Sequence, residues 1–357
     1  MEILAIVPIL GFLMIAHEFG HFIVAKRAGI VVEEFAIGFP PRLLSTTRGG
    51  VRYSFNLIPF GAYVKMLGEE DPSAPGSFAS QSKRVRAVVL AAGSGMNFLV
   101  AVAAFAIAYG SGWPEPIAQI NIADVAAGSP AQVAGLQTGD VVTRVDGRDV
   151  KNSGELRAQV LRRLDQPMEV GVQRGGQEVN LTITPRSQPP EGQGALGVRL
   201  QDRPLAVEPV SHGPIESIAF GFRRTLDIIG LTFVAPVMAI RGEVEPDQVR
   251  PIGLPGMAQV AGQSARAAIE SGWWFPVLLI TGAFSAGLAV ANMLPLPALD
   301  GGRLLFVLIE AIRGRRVSPE REGLIHFVGL AVLFSLMILI SFNDLRSPLP
   351  AIDWGLR

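Results

Sequence analysis

Long runs of apolar residues divide this sequence into segments. Four of the runs are nearly free of charged residues, and each is long enough for a helix to cross a membrane, which takes about 20 residues. Between the runs, polar and apolar residues alternate in several places, a pattern typical of strands with one buried face. The sequence therefore predicts four transmembrane helices, near residues 3–24, 87–109, 273–296 and 324–342, with β-structure in the connections.

Two apolar stretches need separate interpretation. A cleavable signal peptide is an alternative for the first run, but Lys26 and Arg27 follow the run instead of preceding it, so we expect it to be retained. Residues 215–240 are apolar in patches and include charged residues such as Arg223 and Asp227. A span there would reverse the orientation of every later segment. We expect helices that lie on the membrane or partly in it.

Basic residues are concentrated in two connections, at residues 26–86 and 303–321. Lys and Arg are enriched on the cytoplasmic side of membrane proteins, so both connections should be cytoplasmic. The N-terminus, the segment between the second and third spans, and the C-terminal tail are then extracytoplasmic. Trp273 and Trp274 would lie at the outer interface, where aromatic residues collect.

The composition agrees with an integral membrane protein. Of the 357 residues, 49% are hydrophobic, and the mean hydropathy is +0.38, which is too apolar for a soluble globular chain. The formal net charge is zero, so the sequence gives no sign of nucleic-acid binding. There is no cysteine, which excludes disulfides and leaves only nitrogen and oxygen as strong metal ligands.

The first apolar run contains the sequence His17-Glu18-Phe19-Gly20-His21. Residues four positions apart share a helix face, so both histidines can bind one Zn²⁺ ion, with Glu18 placed to take a proton from bound water. Ionisable residues are costly in a membrane helix unless they are paired or ligated, and a metal site accounts for all three. The alternatives are a haem site, a proton pathway or a chance occurrence of the motif.

The third run ends in the sequence NMLPLPALDGG, residues 292–302. Pro295 and Pro297 cannot continue a regular helix, because each lacks an amide donor. Asp300 would complete a set of two histidines and one carboxylate that leaves a position open for water. His17, His21 and Asp300 each lie a few residues before a basic connection, so we expect them at similar depths in the membrane. The alternative is a helix C-cap, with a solvated Asp300 and glycines that end the helix.

The combination of HEFGH in the first span with NxxPxPxLDG in the third resembles the site-2 protease family of intramembrane zinc metalloproteases, over nearly the whole chain. The resemblance implies a fold, an activity and a set of site residues. It implies that Asp300 binds Zn²⁺ together with the two histidines and that Glu18 is the general base or acid. It also implies that the substrate is bound by Asn292, with Pro295 and Pro297 as further candidates.

A second-span element, Gly93-Ser94-Gly95-Met96-Asn97, is similar to the family's Gly-Pro-x-x-Asn element, except that Ser94 replaces the proline. Asn97 is thereby a further candidate for substrate binding. The alternative is that the glycines of this element simply allow two helices to pack closely.

The first basic connection resembles the family's membrane-associated β-hairpin. Residues 35–39 and 59–69 bracket it, although Ala62 stands where a second glycine is usual. A substrate helix hides its carbonyls in its own hydrogen bonds and must be unwound before it is cut. An exposed strand edge could then hold the unwound segment by strand addition. The alternative is a structural sheet that only covers the site.

The segment between the second and third spans contains a turn of the form AGLxxGD at residues 134–140, followed by an alternating strand and an Asp146-Gly147 turn. This resembles a single PDZ domain that runs to about Arg186, with strands at 168–172 and 179–183. Such a domain binds extended peptides or screens substrates by size, and we favour the second role. His212 and His326 are interpreted as interfacial or exposed residues outside the site.

These observations predict a polytopic α-helical membrane protein with four transmembrane helices, a cytoplasmic membrane-associated β-loop and one inserted extracytoplasmic PDZ domain. The predicted segments are 1–27 (first helix), 28–83 (β-loop), 84–111 (second helix), 112–188 (PDZ domain), 189–271 (membrane-surface helices and linker), 272–302 (third helix), 303–322 (basic loop) and 323–357 (fourth helix and tail).

The predicted activity is that of a zinc metalloendopeptidase of the RseP-like, single-PDZ branch, in a bacterial inner membrane, with both termini extracytoplasmic and the zinc site toward the cytoplasm. Its predicted partners are the lipid bilayer and single-pass membrane substrates, such as anti-sigma factors, or remnant signal peptides. Two alternatives remain open: a non-proteolytic PDZ scaffold with a structural metal, and a metal transporter or haem protein.

Overall fold

The computed structural model describes residues 2–69, 71, 73–244 and 250–354. The chain forms two compact units, the first made of Met1–Gly112 with Ser211–Trp354 and the second containing Trp113–Val210. In chain order the elements are α1 (Glu2–Arg27), β1 (Val32–Arg48), β2 (Val51–Met66), α2 (Lys83–Ser111), β3 (Trp113–Val125), α3 (Pro130–Val133), β4 (Val141–Val145), β5 (Arg148–Asp149), α4 (Ser153–Arg162), β6 (Met168–Arg174), β7 (Gln177–Ile183), β8 (Val198–Val210), α5 (Pro214–Ile240), α6 (Leu254–Ser271), α7 (Phe275–Met293), α8 (Asp300–Arg313) and α9 (Pro319–Arg346).

The first unit is mainly helical. Within the described part of the chain, four helices are long and apolar enough to cross a membrane, namely Ala5–Arg27, Lys83–Ser111, Phe275–Met293 and Glu320–Arg346. They coincide with the four apolar runs from which transmembrane helices were predicted. Because every backbone amide in a bilayer core must be paired within its own segment, helices are the expected form for such runs.

Helices α1 and α2 approach each other closely at the level of the HEFGH sequence. A Cβ atom at Gly20 would collide with the backbone carbonyl of Ala92. A glycine at this position therefore lets the two backbones come nearly into contact, as small residues do at helix interfaces in membranes. Leu13, which is fully buried, belongs to an apolar cluster that α1 shares with α6.

Helix α5 covers the stretch that the sequence left ambiguous. The ring of Tyr109 stacks on those of His212 and Phe220, with centroids 3.7 Å and 4.0 Å away. Further along the pair of helices, Phe98 meets Phe222 edge to face at 5.7 Å. Helix α5 therefore lies alongside α2, one of the helices apolar enough to cross the membrane. This arrangement is compatible with a helix partly in the membrane.

The connection after the third candidate span differs from the expected basic loop at 303–322. Helix α7 ends at Met293, before the two prolines, as predicted. Helix α8 then occupies most of the connection, because one of its faces is apolar and Val307 is buried in a shared core cluster. On the same helix, Glu310 accepts a buried hydrogen bond of 2.5 Å from Arg86 of α2. Burial raises the pKa of Glu310, but the hydrogen bonds and positive charges of Arg86 and Arg316 together outweigh burial, so the pKa of Glu310 is lowered.

Strands β1 and β2 form the predicted hairpin, with a register that shifts several times. Glu34 of β1 lies opposite both Lys65 and Arg52 of β2. The long β2 strand therefore folds back, and its final segment, residues 62–66, lies on the opposite side of β1 from residues 52–55. That final segment contacts the HEFGH helix through the hydrogen bond from the Val64 amide to Glu18.

The second unit is built on a sheet with the strand order β7-β6-β4-β3-β8, and β5 pairs with β4. Strands β6 and β7 occupy the two predicted positions. The unit continues beyond the expected boundary at 188, because β8 pairs with β3 along its whole length, from Val125 opposite Val198 to Trp113 opposite Val210. The second unit contains a buried ion pair. Asp140 is 1% exposed and accepts hydrogen bonds of 2.7 Å and 2.6 Å from Arg174. These bonds lower the pKa of Asp140.

Candidate metal centre and active site

The two histidines of HEFGH and Asp300 come together in the first unit. His17 Nε2 and His21 Nε2 each lie 3.1 Å from Asp300 Oδ2, and the two nitrogens are 3.2 Å apart. Both histidines are buried, and the carboxylate is mostly buried. One helix turn presents the histidines from α1, and the first residue of α8 presents the carboxylate.

This donor set fits zinc. Zinc is bound by nitrogen and oxygen at about 2.0–2.2 Å, so the ligand atoms of a tetrahedral site lie roughly 3.3–3.6 Å apart. The three observed separations, 3.1 Å, 3.1 Å and 3.2 Å, lie just below that range, so a small outward shift of the ligand atoms would fit the ion. Within the described residues these three side chains form the group of His, Asp and Glu residues that could hold a metal ion. With three protein ligands, a tetrahedral ion would keep one position open.

Hydrogen bonds to the second ring nitrogen orient each histidine. His21 Nδ1 donates to the carbonyl oxygen of Val89 at 2.7 Å, which leaves its Nε2 free to bind a metal. His17 Nδ1 lies 3.3 Å from the side-chain amide of Asn97 and 3.5 Å from that of Asn292. If His17 binds metal through Nε2, its Nδ1 carries a proton and needs an acceptor. A flip of the Asn97 side-chain amide, which exchanges the positions of Nδ2 and Oδ1, supplies this acceptor. The flip also gives a partner to Asn97 Oδ1, which has none among the described residues.

Gly93 of α2 closes the site behind the histidines. A Cβ atom there would lie 2.6 Å from His17 Cε1 and 2.7 Å from His17 Nε2, and closer still to His21 Nε2. Separations below 3.0 Å are essentially never seen for real Cβ atoms. The absent side chain therefore makes the space that the two imidazoles occupy. The sequence analysis gave close helix packing as an alternative role for Gly93 and Gly95. In the structure, Gly93 takes part both in the packing of α2 against α1 and in the candidate metal site.

Glu18 is held by the β-sheet. Its Oε2 accepts a hydrogen bond of 3.0 Å from the backbone amide of Val64, in the final segment of β2. Two residues further along, the amide of Met66 donates to Glu69 Oε1 at 3.3 Å. Amides of alternate residues thus point away from β1 and toward carboxylates, which leaves this edge of the sheet bordering the candidate metal site.

His326 of α9, which the sequence analysis left outside the site, contacts the loop that precedes Asp300. Ala298 has a φ of 73°, which is unusual for a residue with a side chain. Its backbone amide donates to His326 Nδ1 of α9 at 2.7 Å. One turn further along α9, a Cβ atom at Gly329 would collide with Pro297. Spacing within one helix cannot reveal a contact with the backbone of a distant loop, so the only available signal was the rarity of histidine.

Comparison with known proteins shows the family of this chain. The model of peptidase family M50 matches residues 5–336. The chain belongs to peptidase family M50. A Clostridium perfringens relative that carries the name of a zinc metalloprotease is 32% identical over 342 residues, which cover 94% of this chain and 96% of the relative. The zinc metalloproteases RasP of Oceanobacillus iheyensis and Geobacillus kaustophilus are 28% and 27% identical, and the matches cover 96% and 97% of this chain and 98% of each relative.

Membership of the M50 family confirms three predictions made from the sequence: the protein is a membrane protein, an enzyme of the zinc metalloprotease class, and a zinc protein. Solved PDZ domains of SdrC-like proteins from Listeria monocytogenes and Listeria innocua align with 23% and 24% of the chain, at 20% and 21% identity and a TM-score of 0.21. A similarity of that size does not assign the fold of the second unit.

Proposed function

We propose that this metalloprotease hydrolyses a peptide bond within or near the transmembrane segment of single-pass membrane proteins. The observation that carries the proposal is the position of the ligand cluster. His17 and His21 lie inside a helix apolar enough to cross a membrane, and Asp300 follows the end of another. A substrate must therefore reach the site from the bilayer or from its surface.

The proposed ligands are His17, His21 and Asp300, and Glu18 is the proposed general base. When bound, zinc would polarise the scissile carbonyl and acidify its water. Glu18 would take a proton from that water and return it to the leaving amine. The amide of Val64 fixes Glu18 Oε2, which leaves the other carboxylate oxygen for this proton transfer.

The β-sheet edge beside Glu18 supports a role in holding substrate. An unwound substrate segment exposes backbone donors and acceptors that a strand edge can pair with. The final segment of β2 already directs the amides of Val64 and Met66 toward carboxylates. Asn292 lies in the last turn of α7, and Pro295 and Pro297 lie in the loop between α7 and α8. We place all three along the same substrate path. Asn97 is fully buried against His17, which favours positioning of the ligand over contact with substrate.

We place the protein in a bacterial inner membrane, with both termini outside and the zinc site toward the cytoplasm. The basic residues at 26–86 and 303–321 support this orientation. The hairpin exposes apolar side chains, including Leu44 at 71% and Leu57 at 54%, as a membrane-associated sheet would. The second unit would then be an extracytoplasmic PDZ domain that admits substrates already trimmed on that side, either anti-sigma factors or remnant signal peptides.

Replacement of Glu18 by glutamine tests the proposal. Purified wild type in detergent should cut a tagged single-span substrate, and Glu18→Gln should bind the same amount of zinc without cutting. Glu270→Gln, at an exposed position on α6, is the matched control and should cut normally. Bound zinc without cleavage by the wild type, across several substrates and with lipid restored, would favour the scaffold instead.

A further inference from the structure

The outer edge of the final β2 segment has amides that are occupied by carboxylates of the protein itself. The amide of Leu67 donates to the carbonyl oxygen of Val31 at 2.9 Å, at the start of β1. Successive amides along a strand point to opposite edges. The Met66 amide therefore points away from β1, as the Val64 amide does, and it donates to Glu69 Oε1 at 3.3 Å. We call this contact between Met66 and Glu69 the Glu69 cap.

The Glu69 cap is a weak bond made by a firmly held side chain. Its length exceeds the usual limit of about 3.2 Å for an N–H···O bond. The other carboxylate oxygen, Glu69 Oε2, accepts a hydrogen bond of 2.8 Å from Arg303 Nη1. Arg303 lies on α8, three residues after Asp300. Glu69 Oε1 can therefore leave the Met66 amide while Arg303 still holds the carboxylate.

A cavity of about 230 Å³ borders both Glu69 and Arg303. A water molecule takes about 30 Å³ in the liquid, so the cavity has room for a carboxylate group that moves. Arg86 and Arg316 also line it, and both donate hydrogen bonds to Glu310. A carboxylate that turns into this cavity stays among polar groups and avoids the cost of apolar burial.

The edge amide needs an acceptor both with and without substrate. Met66 is 7% exposed, and a donor that is shielded from water is costly when it has no partner. An uncovered strand edge also pairs readily with other chains. The Glu69 cap meets both needs in the free enzyme. A substrate carbonyl that binds the same amide must displace Glu69 Oε1.

We propose that Glu69 is a displaceable cap: a backbone carbonyl of the unwound substrate takes the Met66 amide, and the Glu69 carboxylate turns into the cavity while still paired with Arg303. The inference rests on the strand addition in the proposed function and adds a residue that sets how tightly substrate binds. The Glu69 cap selects segments that are already unwound, because the carbonyls of an intact helix are paired internally and cannot compete for the amide.

Removal of the acceptor tests the proposal. Glu69→Leu leaves the Met66 amide without a competitor, so KM for a tagged single-span substrate should fall about threefold or more, with kcat and bound zinc unchanged. Glu69→Gln keeps an acceptor oxygen and should keep the KM of the wild type. Glu33→Leu on β1 is the matched control and should also keep it, because the Glu33 carboxylate pairs with the Lys65 side chain at 2.7 Å.

Two results of these kinetics would overturn the proposal. A KM that rises or stays unchanged in Glu69→Leu would show that Glu69 does not compete with substrate. Equal changes in Glu69→Leu and Glu69→Gln would assign its role to the pair with Arg303 and not to the Met66 amide.

A thioamide scan tests where the substrate takes the amide. Substrate peptides carry one thioamide at successive positions, and its sulfur is a weaker acceptor than a carbonyl oxygen. At the position that pairs with Met66, the thioamide should raise KM more in Glu69→Leu than in the wild type, because the wild type regains the Glu69 cap when the substrate contact is weak. A scan without such a position would overturn the proposal. If the wild type cuts and these results are absent, only the Glu69 cap is rejected; if it cuts no substrate, the proposed function fails as well.

Discussion

Replacing Gly93 with alanine should abolish tight zinc binding while leaving the fold intact. The added methyl group would lie 2.6 Å and 2.7 Å from atoms of His17 and closer to His21. Ordinary contact between such atoms is about 3.5–4.0 Å, so both rings must retreat by about 1 Å. Zinc ligands tolerate displacements of about 0.2 Å. The helix itself gains, because alanine favours helix by about 1 kcal/mol over glycine.

The expected loss follows from these displacements. Changes in residues that only support zinc ligands typically cost 10–100-fold in affinity, and displacement of two ligands should cost about 100-fold or more, or about 3 kcal/mol. Zinc retained per protein, measured by atomic emission across a series of chelator concentrations, gives the affinity. Gly95→Ala, two residues along the same helix with open space at its Cβ, should match the wild type. Wild-type zinc affinity in Gly93→Ala would show that α2 does not confine the histidines, and the reasoning would fail.

Two further predictions concern the Asp300 loop and the second unit. His326→Leu removes the acceptor of the Ala298 amide and should lower zinc retention and cleavage together by about tenfold, as loss of a supporting hydrogen bond does. Arg174→Met leaves Asp140 buried without its cation and should destabilise the second unit by about 2 kcal/mol at pH 7, read as reduced hydrogen-exchange protection of β4 and β6 in the full-length protein. Because Arg174 lowers the pKa of Asp140, this stabilisation is fully present above the unfolded pKa of about 3.9 and is lost as pH falls through the lower folded pKa.

Each of these predictions has a control and a contradicting result. His326→Gln keeps an acceptor and should restore zinc retention, whereas equal losses in both variants would mean that the ring matters only for packing. For the second unit, the difference in protection between wild type and Arg174→Met should narrow below about pH 4. A difference that does not change with pH would contradict an ionised Asp140 as its source.

Two parts of the candidate centre could be predicted from the sequence because they depend on local constraints. A spacing of four residues places His17 and His21 on one helix face whatever the rest of the fold does. The prolines at 295 and 297 end α7 for reasons of backbone chemistry alone, and the Asp300 that follows lies with the histidines in the structure.

Features that depend on distant partners were missed. Strand β8 lacks clear alternation and is mostly exposed, so its pairing with β3 gave no signal in the sequence. Helix α8 lies in a segment whose basic residues suggested a loop, yet its apolar face packs in a shared cluster. His326 acts on a backbone amide 28 residues away in the chain. None of these contacts follows from periodicity within one segment.

The candidate ligand set is divided between the two ends of the chain. Asp300 is separated from His17 by 283 residues and from His21 by 279. A polypeptide still emerging from the ribosome holds the two imidazoles but not the carboxylate until α8 has been synthesised. With the proposed ligands, hydrolytic competence therefore requires α8 to pack against α1, and a chain interrupted before Asp300 would lack the centre.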